Sequence, residues 1–528
     1  NEVSNFCNPT GDGQVCTEDP TCSQPGGCCV ICTTTDPTNK YDFPPFIPDI
    51  YYNTLGEKTL AQSSYHASGD VEYNSHSLYG FMESIATRNA LLSLRPNVRP
   101  FILSRSTFSG SGVYTAHWTG DNAATWEDLA ASIITMNNMA LFGIPMVGAD
   151  ICGFIGATTE ELCTRWIEVG AFSPFSRDHN EINAPPQELY RWDSVTKASK
   201  VVLGLRYQLL PHLYTLMYEA HELGRTVHNA LWMHFPQDLT THTDTDGQYM
   251  WSGSILFTPV LKEGALSVKG YFPTGVWYSM LDDTMIDSSD GGKFVTLDTP
   301  LLTTNVHVRG GHVIPMQQSA MTTSEVKSSP FKLIVTHPKI GSYFVGRLYL
   351  DDGNENEVTE KSIINYFSTS TNSFTSIVEP GSNYILTSSV LSSIEIWGGV
   401  NISEPYCTVS LTLSSSSSPL SSKSNVIEPS SVEVINGVGF DKLIITFDTT
   451  KSPINIVTDY TVSWSCSDKQ DKTSSNDDDD KSGWGSLPKY GQALIIVGIC
   501  VVGLGTIGGA YLLYSKKKGS LDGALLKV

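Results

Sequence analysis

Polar side chains follow three short apolar stretches of the sequence, each at the point where the stretch ends. Asp121 comes directly after the strand-like part of HWTGDNAATW and before a helical pattern, and Asp150 has the same position in VGADICGF. The segment SPFSRDHN adds a third polar cluster, Arg177 to Asn180. The carboxyl ends of parallel strands are where barrel enzymes display catalytic groups, and a carboxylate there can donate or accept a proton. The three clusters therefore predict one site.

The segments around these clusters alternate between short apolar runs and amphipathic helices from Leu78 to Asp193. In TWEDLAASIITMNNMALF, for example, Leu129 and Ile133 begin an apolar series at helical spacing, which predicts a helix with one buried face. This alternation is typical of parallel βα units. After Met233 helical patterns almost vanish, and short β segments separated by Gly, Pro and Ser predominate. The sequence predicts an α/β part followed by an all-β part.

Several longer segments resemble, in order, the motif series of glycoside hydrolase family 31. They are SRSTFSGSGVYTAHWTGDNAATW, FGIPMVGADICGF, ELCTRWIEVGAFSPFSRDHN and LRYQLLPHLYTLMYEAH, followed by MWSGSILFTPVL, YFPTGVWY, HVRGGHVIPMQ and GRLYLDDG. The nearest match is the branch of lysosomal and intestinal α-glucosidases. The resemblance implies the carboxyl-terminal half of a (β/α)8 barrel with β-sandwich domains after it, and hydrolysis of α-glycosidic bonds.

The family cleaves its substrates with retention of configuration, using one carboxylate as nucleophile and a second as acid and then as base. By resemblance, Asp121 is this acid and base. The family's nucleophile is the aspartate of a motif like WIDMNEVSNF, and the present sequence opens at NEVSNF. We therefore expect the nucleophile and the earlier barrel strands to lie outside these 528 residues, and the chain alone to be inactive. Glu2 is displaced from the nucleophile position and is not assigned that role.

The resemblance also assigns substrate-binding roles. Arg105, Asp150 and His179 are expected to bind sugar hydroxyl groups, and Trp118 and Phe154 are expected to form apolar walls of the pocket. Hydrogen-bonding groups beside aromatic faces are what a pyranose ring requires. Without the motifs, the ordinary interpretation is structural. Arg105 would form an ion pair, the two aromatic residues would belong to the core, and His179 would be a buried histidine with its hydrogen bonds satisfied.

The sequence contains 11 cysteines, and all but the one in the apolar run near the carboxyl terminus can pair. We favour disulfides in an oxidising compartment over a zinc site, because the six early cysteines lack the spacing of zinc ligands. The family joins a pair like Cys152 and Cys163, which would stiffen the pocket. A disulfide between Cys407 and Cys466 would covalently link two distant parts of the distal β region and stabilise it.

A carboxyl-terminal segment predicts a membrane anchor. The run 493–514 has 22 residues and no charge, enough at about 1.5 Å per residue to cross a hydrocarbon core of about 30 Å. Lys516 and its two lysine neighbours follow, so the positive-inside rule places the short tail in the cytosol and the rest in the lumen or outside the cell. Asn401 opens a glycosylation sequon that agrees with this orientation. A lysosome-like compartment and the cell surface both fit.

The predicted domain boundaries follow changes in composition, with the two β regions divided near Ser324. In order, the ranges are the barrel part with its cysteine-rich loop (1–233, loop 1–65), a proximal β-sandwich (234–323), a distal β-sandwich (324–467), a polar stalk (468–492), the transmembrane helix (493–514) and a cytosolic tail (515–528).

Charge and motif content limit the ligands. A net charge of -21 would repel phosphate backbones, which excludes nucleic acid as a partner. No HExxH spacing, Walker motif or Rossmann glycine motif occurs, and the family is not known for a required metal, so no cofactor is expected.

The expected substrate is an α-glucan or maltooligosaccharide, and the oligomeric state is not assigned. A non-catalytic, membrane-displayed glycan-binding protein on the same fold is the alternative. Asp178 stands where many relatives have Asn, which leaves α-xylosidase and glycoprotein-trimming specificities open.

Overall fold

The computed structural model describes residues 38–47, 62–339, 343–400, 406–414, 425–436 and 439–467. Most of the cysteine-rich loop, the sequon at Asn401, the polar stalk, the predicted transmembrane run 493–514 and the tail lie outside these ranges. Within the ranges, no helix combines the length and the apolar character that crossing a membrane requires.

The α/β part consists of short parallel strands separated by helices, as the sequence pattern predicts. Strands β1, β2 and β3 form one parallel sheet, in which Leu103 lies opposite Ala116, and β4 pairs in parallel with β5, in which Asp150 lies opposite Arg177. The elements are α1 Glu72–Ser75, α2 Tyr79–Leu94, β1 Leu103–Ser104, β2 Ala116–Trp118, α3 Trp126–Leu141, β3 Val147–Gly148, β4 Asp150–Ile151, α4 Glu160–Gly170, β5 Arg177–Asp178, α5 Asp193–Gln208 and α6 Leu210–Leu223.

Helix α3 shows how the sequence pattern becomes a buried face. Its N-cap residue, Thr125, accepts a hydrogen bond from the N–H of Asp128 at 3.2 Å, which satisfies a helix-end donor. Leu129, Ile133 and Met136 are buried, and their spacing follows the 3.6-residue period of a helix. The capped start and the buried face together fix the direction in which the chain leaves β2.

The proximal β-domain pairs strands in the sheet order β11-β10-β13-β8-β7-β6 and covers one face with the ribbon β12-β9. Leu256, Phe272 and Trp277 are buried between sheet and ribbon, and the two aromatic rings meet nearly edge to face with centroids 6.1 Å apart. The strands are β6 His228–Asn229, β7 Tyr249–Trp251, β8 Ile255–Phe257, β9 Ser267–Phe272, β10 Val276–Ser279, β11 Met285–Asp287, β12 Lys293–Asp298 and β13 Val306–Arg309.

A buried arginine joins α4 to the proximal β-domain. The side chains of Arg165 and Glu168 are 0% and 2% exposed, and Nη1 lies 3.0 Å from Oε2. The guanidinium also donates to the main-chain carbonyl groups of Ala265, Thr299, Pro300 and Thr303. A buried charge is tolerated only when it is paired and hydrogen-bonded. Arg165 therefore holds the helix against the loops of the neighbouring domain.

We expect Arg165→Met to lower the free energy of unfolding by about 3 to 5 kcal/mol, because it leaves Glu168 buried without its cation and several carbonyl groups without a donor. Urea unfolding followed by tryptophan fluorescence measures this change. Arg191→Met is the matched control, since Arg191 is exposed and surface substitutions usually change stability by less than about 0.5 kcal/mol. Equal losses in the two variants would contradict the anchoring role.

The distal β-domain is a sandwich of two sheets, with the orders β14-β15-β19-β23-β22 and β16-β17-β18-β24-β20-β21. Leu333, Phe374 and Ile394 belong to the apolar core between them. The elements are β14 Val313–Gln317, α7 Thr323–Lys327, β15 Phe331–Thr336, β16 Val345–Asp351, β17 Lys361–Ser370, β18 Ser373–Val378, β19 Leu391–Trp397, β20 Tyr406–Leu413, β21 Asn425–Ile427, β22 Ser431–Asn436, β23 Asp441–Thr446 and β24 Tyr460–Ser467.

In the sheet pairing, the proximal β-domain begins and ends earlier in the chain than the predicted range 234–323. Strand β14 precedes the predicted boundary near Ser324, yet it pairs antiparallel with β15 in the distal sandwich. Strand β6 falls inside the predicted barrel range 1–233 but pairs with β7, with His228 opposite Trp251. Both strands are completely buried, although β6 consists of two polar residues, and the change in composition that set the predicted boundaries comes only after them.

Candidate active site

Two strand-end loops are tied together by one asparagine. Asn122, which follows β2, donates from Nδ2 to the carbonyl oxygen of Asp150 at 3.0 Å, and its Oδ1 accepts from the N–H of Asp150 at 3.2 Å. The N–H of Phe154 donates to the carbonyl oxygen of Asn122 at 2.7 Å. These hydrogen bonds fix the loop after β2 against β4 and the loop that follows it. The carboxylates that the two strands carry are thereby held in one region.

Asp150 is buried, and only one of its two carboxylate oxygens is hydrogen-bonded within the described residues. Its Oδ1 accepts from Nη2 of Arg177 at 2.6 Å and from Nε at 3.1 Å. The described residues offer no hydrogen-bond partner to Oδ2. Burial raises the pKa of Asp150 above its usual range, and the hydrogen bonds from Arg177 oppose that rise without cancelling it. A buried acceptor that lacks a partner is a natural position for a hydroxyl group of a ligand.

Asp121 is the accessible carboxylate of the pair. Its Oδ1 lies 3.5 Å from Nη1 of Arg105, and the two side chains are 46% and 47% exposed. Gly120 precedes it with φ +82, and a Cβ there would clash with the guanidinium of Arg105. Asp121 also lies near enough to Asp150 for the two negative charges to repel each other. The site thus combines one buried and one solvent-accessible carboxylate.

Aromatic rings lie beside these charged groups. The guanidinium carbon of Arg177 is 5.3 Å from the ring centroid of Trp118. The rings of Phe154 and His179 have centroids 5.2 Å apart, at an interplanar angle of 40°. Trp118 and Phe154 are half-buried and His179 is exposed, so ring surface is accessible from solvent.

Three residues of the site, Asn122, Arg177 and Gln187, received no individual role from the sequence. Asn122 and Arg177 belong to the polar clusters at the strand ends, and that position was the signal that could have identified them. Gln187 had no such signal, because it lies in a loop after β5. Its Nε2 donates to Oδ1 of Asp178 at 2.9 Å and to the carbonyl oxygen of Ile151 at 3.0 Å, which joins β4 to β5 beside the site.

Two of the disulfides considered in the sequence analysis are present. Cys152, in the loop after β4, is bonded to Cys163 of α4, and both residues are buried. This bond holds the loop that follows Asp150. In the distal sandwich, Cys407 and Cys466 face each other on β20 and β24 and are bonded.

Two family models match the α/β part and the proximal β-domain. The model of the glycosyl hydrolases family 31 TIM-barrel domain matches residues 1–216, and that of the glycosyl hydrolase family 31 C-terminal domain matches residues 224–314. The chain belongs to glycoside hydrolase family 31. The resemblance carried by the motifs is therefore confirmed, and so is the assignment to the glycoside hydrolases.

Relatives within family 31 extend well beyond this chain. A probable alpha-glucosidase of Oryza sativa subsp. japonica is 50% identical over 324 residues, which are 61% of this chain and 36% of the relative. Alpha-xylosidase 1 of Arabidopsis thaliana is 45% identical over 385 residues, 71% of this chain and 41% of the relative. A crystal structure of a glucosidase II alpha subunit superposes with a TM-score of 0.68 at 26% identity, covering 77% of this chain and 44% of that one. The chain spans less than half the length of each.

This family 31 site also predicts a pH dependence of stability. Burial raises the pKa of Asp178 from its ordinary 3.8 to about 6, although the hydrogen bond from Gln187 opposes the rise. Since the folded protein then binds more protons than the unfolded chain between those pH values, stability falls as the pH rises through that window. At neutral pH the ionised Asp178 is therefore destabilising.

We expect Asp178→Asn to stabilise the protein at pH 7 by about 1 kcal/mol, a value discounted because Asp178 is partly exposed. The amide oxygen of asparagine can still accept from Gln187. Thermal unfolding at pH 7 and at pH 4 measures the difference, and the gain should disappear at pH 4. Asp246→Asn, at an exposed carboxylate, should change neither midpoint. A gain that does not depend on pH would contradict this explanation.

Proposed function

We propose that the protein is a retaining exo-α-glucosidase that removes terminal α-1,4-linked glucose from maltose-like and glycogen-like chains. The observation that carries the proposal is the pair of carboxylates at neighbouring strand ends. Asp121 is accessible beside Arg105, and Asp150 is buried, with no partner for its Oδ2 in the part of the chain that the structure describes. Two relatives, the probable alpha-glucosidase of Oryza sativa subsp. japonica and the lysosomal alpha-glucosidase of Mus musculus, support the choice of glucose.

In this proposal Asp121 protonates the departing glycosidic oxygen and then deprotonates the water that releases the sugar. A second carboxylate, about 5 to 5.5 Å away, attacks the anomeric carbon and forms a covalent glycosyl-enzyme. In this proposal the nucleophile is the aspartate of a WIDMNE-type motif, the role that the resemblance to family 31 gives it. Asp121 must carry a proton when the leaving group departs and must be free to accept one when water attacks.

The other site residues bind the terminal glucose. Oδ2 of Asp150 accepts from a sugar hydroxyl group, while Arg177 keeps the carboxylate ionised and fixed through Oδ1. Arg105 and His179 contribute further polar contacts from the rim. Trp118 and Phe154 present ring faces to the apolar side of the pyranose. Polar groups of this kind fix the orientation of a ligand that is otherwise held by apolar contact.

We place the catalytic part in the lumen of a lysosome-like compartment or at the cell surface, anchored by the helix predicted at 493–514. The disulfides Cys152–Cys163 and Cys407–Cys466 support an oxidising compartment. Protease treatment of sealed vesicles tests this placement. The catalytic part should stay protected until detergent is added, and cleavage without detergent would contradict a lumenal location.

The identity of the sugar is tested by comparing the 4-nitrophenyl glycosides of α-glucose and α-xylose. The substrates differ only by the hydroxymethyl group, and the relative named alpha-xylosidase makes xylose the relevant competitor. We expect kcat/KM to favour the glucoside by at least about tenfold, because a pocket that binds a substrate hydroxyl group rejects the analogue that lacks it. A higher kcat/KM for the xyloside would show that the substrate sugar is xylose and not glucose, and it would not contradict the two-carboxylate mechanism.

A further inference from the structure

Asp351, at the end of β16, is a buried carboxylate that receives hydrogen bonds from two domains. Its Oδ2 lies 3.0 Å from Nη2 of Arg99 and accepts from the hydroxyl of Tyr349 at 2.9 Å. Its Oδ1 accepts from the hydroxyl of Tyr214 at 2.6 Å and from the N–H of Gly353 at 2.8 Å. Burial opposes ionisation, but the hydrogen bonds outweigh it, and the pKa of Asp351 lies below its usual range. The distal domain thus holds an ionised acceptor against Arg99.

Main-chain hydrogen bonds reinforce this contact. The N–H of Arg99 donates to the carbonyl oxygen of Asn354 at 2.7 Å. The N–H of Asn356 donates to the carbonyl oxygen of Asn97 at 3.3 Å. Nε of Arg99 also donates to the carbonyl oxygen of Glu355 at 3.2 Å. Residues 97–99 are therefore paired with the loop after β16, although they belong to the α/β part. Their position depends on the distal domain.

The same residues lead directly into the active site. Strand β1 begins at Leu103, opposite Ala116 of β2, and Arg105 follows β1 and lies 3.5 Å from Asp121. We propose that Asp351 is a positioning residue for this site: through Arg99 it fixes the start of β1, and with it the place of Arg105 beside Asp121. The proposal rests on the proposed hydrolase function, and it gives the distal sandwich a part in catalysis.

Asp351→Asn in the protein with the complete barrel tests the proposal. We expect kcat/KM for maltose to fall about tenfold at a temperature well below unfolding, because small displacements of a site residue are costly. The matched control is Asp283→Asn, which breaks another contact of the distal domain, that with Lys442 at 2.5 Å, away from β1. An equal effect in both variants would overturn the proposal.

A double-mutant cycle with Arg105→Met separates positioning from general loosening. If Asp351 acts through Arg105, the double variant should lose no more activity than Arg105→Met alone, whereas independent effects would multiply and contradict the proposal. Hydrogen exchange of the peptide 97–106 gives a readout that needs no activity. It should become faster in Asp351→Asn and not in Asp283→Asn. If the wild-type protein hydrolysed no α-glucoside, the proposed function would be wrong. If hydrogen exchange of the peptide 97–106 were unchanged in Asp351→Asn, the positioning role of Asp351 would be wrong.

Discussion

Asp121→Asn is expected to lower kcat/KM for maltose by about 1,000-fold, while kcat/KM for an activated aryl α-glucoside falls by less than about tenfold. The difference arises because a poor leaving group needs a proton from Asp121 and a good leaving group does not. Initial rates with the two substrates in the protein with the complete barrel measure it. Equal losses on both substrates would contradict the assignment of Asp121 as acid.

Two controls accompany this comparison. Glu127→Gln changes an exposed carboxylate at the start of α3, close to Asp121 in the chain, and should leave both rates unchanged. Because the side chain of Asp121 is 46% exposed, its replacement should not shift the thermal midpoint, so that a loss of rate cannot be attributed to unfolding. Added azide should restore turnover of the activated substrate in Asp121→Asn, since this anion attacks the glycosyl-enzyme without a base.

Arg177→Met is expected to lower kcat/KM about 100-fold and to move the acidic limb of the pH profile to higher pH. Arg177 provides two charge-assisted hydrogen bonds to Asp150, each about 1.5 to 3 kcal/mol in comparable settings. Burial already raises the pKa of Asp150, and removal of the cation raises it further. Since the ionised form binds the sugar hydroxyl, activity is lost as the pH falls through this higher pKa.

The conservative variant Arg177→Lys separates charge from geometry. Lysine keeps the positive charge, so the acidic limb should stay close to its original position, although the rate falls because the paired donors are lost. The pH dependence of kcat/KM for all three proteins gives the comparison. An unchanged acidic limb in Arg177→Met would show that Asp150 does not depend on Arg177 for its charge.

The sequence indicated the parts of the site that local pattern encodes. Asp121 and Asp150 stand where an apolar strand ends, and the chain direction of parallel strands brings such positions to one edge. The buried face of α3 followed from the spacing of Leu129 and Ile133. These features depend on short stretches of chain, which a single sequence displays.

Features that depend on distant partners were not predictable in the same way. Gln187 joins β4 to β5 through the amide of one side chain, and nothing in its neighbours distinguishes it from an ordinary loop residue. Arg165 has the sequence context of a surface residue on an amphipathic helix, but it donates to carbonyl groups 100 and 134 positions away. The link from Asp351 to Arg99 spans 252 positions. Such contacts arise only when the domains pack.

The measurement that tests the central claim most directly is hydrolysis of maltose by the protein with the complete barrel, with the first anomer of the released glucose identified by NMR. The two-carboxylate mechanism predicts that α-glucose appears first and then mutarotates. Initial release of β-glucose would contradict retention. Absence of turnover on every α-glucoside would contradict the hydrolase and favour a glycan-binding protein on the same fold.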